Sequence, residues 1–294
     1  MKSSEKQDLI KDSDPLSCEE EVAFHSLVSI QPKGKKPPLF IVHGADYNIE
    51  KFNNLAKVLD VNQPVYALQA KGLKGDVQPH DTVEAMASHY ISEIKSITQD
   101  KPFALGGFSF GGIIAFEMVR QLRSLGENIK GLFLFDSYVY PTYYYSDPFK
   151  KKVISKFYIL AQLGFMGLNM FSSVANFKRR VKLLKLKFHG LYLKRKYGSE
   201  KQTQLQFKRS SKIDKLHNLA YQRYHMVPQP IKVDLFWSRK KLYFAHDYNF
   251  LGWKKIALGG VNRHIIPGNH SEMFFLPVVK ALGEKLQILL DNED

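Results

Sequence analysis

Short apolar runs alternate with stretches of helical periodicity along most of this chain, and that alternation limits the possible folds more than any other feature. Leu39-Phe40-Ile41-Val42-His43 is an apolar run stopped by Gly44, and Val65-Tyr66-Ala67-Leu68 is a second. After Asp81, positioned to cap with Glu84 reaching back, the residues Val83, Met86, Tyr90, Ile94 and Ile97 recur every three or four positions and predict an amphipathic helix. Phe103-Ala104-Leu105-Gly106-Gly107 reads as a strand, Ile113 to Leu125 as a helix closed by Gly126, and Leu132-Phe133-Leu134-Phe135 as a strand again. Parallel neighbours need crossover connections, so this order predicts an α/β fold with a mostly parallel sheet covered by helices on both faces.

The alternation breaks from about Pro141 to Pro230, where short apolar helical stretches and many lysines stand in place of strands. That region, 141–230, reads as an inserted helical lid. Strands resume at Ile231–Phe236 and Asn262–Ile266, and a last amphipathic helix runs from about Met273 to Leu290. Residues 1–24 are mixed in charge and read as a flexible leader, which leaves 25–294 as one domain.

Composition excludes some classes. Cys18 is the only cysteine, so no internal disulfide can form and a reducing compartment suits the chain. The charged first residues lack the apolar stretch of a secretory signal, and the expected location is cytoplasmic. The formal charge of +15 attracts something acidic. Without paired Cys/His ligand sets or a nucleic-acid-binding motif, neither a metal site nor a nucleic-acid partner is expected.

Gly107-Phe108-Ser109-Phe110-Gly111 matches Gly-x-Ser-x-Gly. The glycines let a strand turn sharply into a helix and lift the serine into a strained, exposed position. Here the motif follows a predicted strand and opens a predicted helix, which makes Ser109 the candidate nucleophile. A serine hydroxyl needs a base, and the base needs an orienting group. His270, in Pro267-Gly268-Asn269-His270-Ser271, sits between a late strand and the last helix, where the base belongs in the chain order Ser, acid, His. Two aspartates lie between them at strand ends, Asp136 and Asp247, and the residues alone leave that choice open. The oxyanion of a tetrahedral intermediate needs backbone donors from the residue after the nucleophile and from the loop after an early strand. Those are Phe110 and Ala45.

With these motifs, Pro38 to Gly44, Gly106 to Gly112, Phe116-Glu117-Met118 and Pro267 to His270, the chain resembles the thioesterase domains of nonribosomal peptide synthetases and polyketide synthases, members of the α/β-hydrolase superfamily. The likeness runs from about Leu27 to Leu290. It implies hydrolysis or cyclisation of an acyl or peptidyl chain through a Ser109 acyl-enzyme, with the substrate presented on the phosphopantetheine of a carrier protein and no cofactor of the enzyme's own. It implies an acyl or peptidyl carrier protein or synthetase as partner, and it favours Asp136 as the acid, although editing-type relatives place that residue nearer Asp247. Where many relatives are richer in glycine, this chain has Asp46-Tyr47-Asn48 after Ala45. A general carboxylester hydrolase, or a docking or membrane module that keeps the fold without the activity, are the other readings.

Within the expected lid, Lys178 to Lys196 holds nine basic residues and no acidic one, with Val181, Leu184, Phe188 and Leu191 at helical spacing. Such a basic amphipathic helix faces water, an acidic carrier protein, or an anionic membrane in peripheral contact. Phe157 to Phe177 carries no charge and is long enough to suggest a membrane span. Gln162, Gly164, Gly167 and Asn169 weaken that suggestion, and apolar lid helices lining an acyl channel are the preferred reading.

Overall fold

Strand residues Leu39, Phe40, Ile41 and Val42 are all fully buried, the mark of a parallel strand covered on both sides. A computed structural model of the chain describes residues 24–171, 177, 181, 185 and 201–292, except 48, 74–76, 100, 128 and 242. Its elements run β1 (Leu27–Gln31), β2 (Leu39–Val42), α1 (Phe52–Ala56), β3 (Val65–Leu68), α2 (Val83–Thr98), β4 (Ala104–Phe108), α3 (Gly111–Ser124) and β5 (Leu132–Phe135). They continue with α4 (Pro148–Phe171), α5 (Lys201–Arg223), β6 (Val233–Lys240), β7 (Val261–Asn269) and α6 (Val278–Asp291).

The seven strands form one sheet in the order β1-β3-β2-β4-β5-β6-β7. Only β1 runs antiparallel, against β3. Because side chains alternate across a strand, Phe40 and Val42 enter a core with α2 and α3, whereas Leu39 and Ile41 enter a second with α1 and α6. Each helix layer thus buries one face of the sheet.

Helix α2 begins one residue later than its expected cap. Thr82, not Asp81, is the N-cap, and its Oγ1 accepts from Ala85 N at 3.2 Å. The last helix also starts later than Met273, at Val278, because residues 270–277 are taken up by turns.

Between β5 and β6 the described residues hold a 3-10 turn at Pro141–Tyr144 and the helices α4 and α5, with no strand among them. A buried carboxylate secures the base of this region. Glu117 on α3 accepts from Tyr224 Oη at 2.8 Å and from Arg120 through two bonds of 2.7 Å. The leader 1–24 and the basic stretch 178–196 lie outside the described residues apart from Phe24, Val181 and Lys185. No helix among the described residues is long and apolar enough to cross a membrane.

Candidate active site

Strands β4 and β5 are paired in parallel with Phe108 opposite Phe135, so Ser109 and Asp136 leave the sheet side by side at its C-terminal edge. Their amides extend the ladder by one step: Ser109 N donates to Phe135 O at 3.0 Å, and Asp136 N to Phe236 O at 2.8 Å. Both residues then turn into the left-handed region, at φ 54° and 45°, a conformation that costs a non-glycine residue about 1–3 kcal/mol. The turn at Ser109 depends on close backbone approach. A Cβ on Gly107 would lie 2.3 Å from Gly111 O, and one on Gly111 would lie 2.3 Å from His43 O.

His270 follows directly on β7, and its Nδ1 donates to Asp136 Oδ2 at 2.9 Å. Its ring stacks on Phe108, with centroids 4.6 Å apart. The Asp136 side chain is fully buried. Its Oδ1 also accepts from Ser238 N at 3.0 Å and pairs with the Lys241 ammonium, and Oδ2 accepts from Tyr243 Oη at 3.3 Å. Burial pushes the Asp136 carboxyl up, but the hydrogen bond from His270 and the charge of Lys241 outweigh it and hold the group at about 2. Asp136 is therefore an anion throughout the neutral range.

Asp247 has a different occupation. Its Oδ1 accepts from Asn249 N and Phe250 N, both at 3.0 Å, and Oδ2 from Gly252 N at 3.1 Å. Its carboxylate closes a turn, and the His270 bond goes to Asp136.

Ser109, Asp136, His270, Ala45 and Phe110 all line one cavity of about 1340 Å³. Ser109 and His270 both line that cavity with no hydrogen bond between them; contacts between a nucleophile and its base often tighten only when substrate is bound. Neither Ala45 N nor Phe110 N donates to a backbone carbonyl among the described residues, which leaves both available to an oxyanion. Two residues after Ala45, Tyr47 adopts φ 57°. Its amide donates to Gly44 O at 3.0 Å and its hydroxyl to Asp214 on α5 at 2.9 Å, so a strained tyrosine ties the Ala45 loop to the region above it.

Three features escaped the sequence reading. Lys241 and Tyr243 reach Asp136 from more than a hundred residues away, and no local pattern marks them. Tyr138, Tyr140, Tyr158 and Tyr221 join Tyr47 and Tyr243 around the cavity. His217 on α5 also lines it, buried, with Nδ1 unpartnered and its ring stacked on His43 at 5.8 Å. The density of tyrosine between residues 138 and 158 was the one available signal. Among the described residues no cluster of His, Cys, Asp or Glu is suited to hold a metal ion.

Nonribosomal peptide synthetase apvA of Aspergillus terreus is 37% identical over 109 residues, 37% of this chain and 12% of that protein. Polyketide synthase PksR of Bacillus subtilis is 36% identical over 114 residues, 39% of this chain and 4% of that protein. The matched stretch is thus a small part of these much longer relatives. Among solved structures, a four-domain nonribosomal peptide synthetase, holo-AB3403 bound to AMP and glycine, superposes with a TM-score of 0.68 at 20% identity, over 93% of this chain and 21% of that one. The NocB thioesterase domain, in covalent complex with a fluorophosphonate nocardicin G analog, superposes with a TM-score of 0.62 at 19% identity, over 90% of this chain and 99% of that one. These superpositions support the α/β-hydrolase fold, and since the family model for the thioesterase domain matches residues 37–276, the chain belongs to the thioesterase domain family.

Proposed function

We propose that this protein cleaves an acyl or peptidyl thioester carried on the phosphopantetheine of a carrier protein, in nonribosomal peptide or polyketide synthesis. The observation that carries the reading is the buried Asp136 carboxylate on His270 Nδ1 at 2.9 Å, in a cavity shared with Ser109. Asp136 fixes the tautomer that leaves Nε2 free to accept a proton. Ser109 Oγ attacks the thioester carbonyl as His270 takes its proton, and the oxyanion is held by the amides of Ala45 and Phe110. The thiol leaves with the proton from His270, and the acyl group stays on Ser109. Water, or a nucleophile within the acyl chain, then releases the product by the same steps in reverse order of roles. Side chains and backbone donors carry every step, and none of them calls for a redox or group-transfer cofactor. A single cysteine and a reaction on carrier-bound intermediates both fit a cytoplasmic setting.

The test is the intact mass of an acylated carrier protein before and after incubation. Wild-type protein should return the carrier to its free-thiol mass, and Ser109→Ala should slow that change by about 10⁶-fold. A carrier that keeps its acyl group with active-site serine labelled normally by a fluorophosphonate would exclude the carrier-bound substrate. Equal turnover by Ser109→Ala would exclude the nucleophile.

A further inference from the structure

Helix α4 has two unlike faces. Tyr158, Ile159, Gln162 and Leu163 line the cavity beside Ser109. Phe149, Val153, Phe157, Leu160 and Leu168 line none of it and are 75, 52, 66, 68 and 78% exposed. Their spacing of four, four, three and eight residues puts all five on one stripe of the helix. Apolar surface gathered in this way marks a contact with something else.

The charges around the stripe choose what that is. Lys150, Lys152 and Lys156 are exposed, and none pairs with a carboxylate among the described residues. No Asp or Glu occurs from Pro148 to Phe171. Lys151 is engaged elsewhere, donating to the carbonyls of Gln222, Arg223 and Tyr224 at the end of α5, at 3.2, 2.9 and 2.8 Å. The sequence continues into the acid-free basic stretch 178–196, in a chain of net charge +15. An apolar stripe edged by unpaired lysines matches the boundary of an anionic bilayer, where side chains enter the acyl region and ammonium groups stay among phosphates. Among the described residues the helix is not long and apolar enough to cross a bilayer.

We propose that α4 seats this protein on an anionic lipid bilayer, with Phe149, Val153, Phe157 and Leu160 entering the headgroup boundary and Lys150 and Lys156 meeting lipid phosphates. Lys152 and Lys156 also edge the cavity, so the docked cavity opens at headgroup level. The docking stands on α4 and not on the chemistry at Ser109, and vesicle binding is measured without turnover, so the two readings fail separately.

The experiment is sedimentation of the full chain with vesicles of phosphatidylcholine alone or mixed with phosphatidylserine, at low and high salt. The expected result is binding to the mixed vesicles that weakens with salt. Phe157→Ser with Leu160→Ser should weaken it about 100-fold, at about tenfold for each side chain that no longer enters the lipid, and Lys150→Gln by about fivefold. The residues changed are exposed, and an unchanged thermal unfolding curve verifies the fold. Absence of binding, equal binding to neutral vesicles, or wild-type binding by the serine variant overturns the proposal. So does wild-type self-association, seen by sedimentation equilibrium and lost in the serine variant, which would assign the stripe to a second copy of the chain.

Discussion

Replacing Asp136 by Asn separates the role of this carboxylate in catalysis from its role in folding. The carboxylate accepts from His270 Nδ1 at 2.9 Å, from Ser238 N at 3.0 Å, and from Lys241 and Tyr243. Asparagine keeps one acceptor oxygen. If that oxygen stays with Ser238 and Lys241, the amide NH₂ faces His270, whose Nδ1 must then accept. The ring proton moves to Nε2, and Ser109 loses its base, a change worth about 10⁴-fold in kcat or about 5.5 kcal/mol. A second cost arises at Lys241, whose side chain is only 6% exposed and would lose its counter-charge, at about 3–5 kcal/mol of stability. Adding Lys241→Met to Asp136→Asn removes that buried cation. The double variant should therefore recover most of the lost stability in urea unfolding while kcat on a small N-acetylcysteamine thioester stays about 10⁴-fold down. Recovery of activity along with stability would mean that Asp136 serves only the fold. A severe loss in Asp247→Asn with near wild-type turnover in Asp136→Asn would transfer the orienting role to Asp247, for which the geometry leads us to expect only lost turn stability, about 1–3 kcal/mol.

Two further outcomes follow from local geometry and burial. Gly111→Ala would place a Cβ 2.3 Å from His43 O and 2.5 Å from Val42 O, backbone atoms of a central strand that cannot yield, so a loss of about 3 kcal/mol or more is expected in urea unfolding; wild-type stability would refute the close-packed elbow. His43 is fully buried, with Nδ1 2.6 Å from Gly44 O and Nε2 3.0 Å from Tyr90 Oη, and burial lowers it from 6.5 to about 4. Below pH 6.5 the unfolded chain binds a proton at this residue that the folded one refuses, so stability should fall as pH drops from about 6.5 to about 4, by about 3 kcal/mol from His43 alone. His43→Gln should make that slope shallower in unfolding curves at pH 7 and pH 5, the share of His89 and His217, which burial also lowers, remaining, and an unchanged slope would show that His43 takes no part in the proton uptake.

Much of the architecture was legible because it is written in short range. Apolar runs such as Leu132–Phe135 fill both faces of a parallel strand, and the Gly-x-Ser-x-Gly pattern is read directly, although only Gly107 is required by a contact within the motif, with Gly111 O, while Gly111 is required by the backbone of Val42 and His43. Boundaries were less legible. Asp81 and Thr82 are both good caps, and which one starts α2 depends on where the helix packs. The helix expected from Met273 starts at Val278, since Met273 and Phe274 reach the core from a turn instead.

By itself the sequence determined the alternation of strand and helix, the turn that lifts Ser109, and the position of His270 directly after the last strand, because each shows in side-chain periodicity or in residue types at fixed spacing along the chain. The tertiary structure alone decided which aspartate meets His270, that Lys241 sits buried on the same carboxylate, and that one side of α4 faces the cavity while the other faces outward. Those are juxtapositions of residues far apart in the chain, set by the order of strands in the sheet and by the route of the segment between β5 and β6, and local sequence carries no term for either.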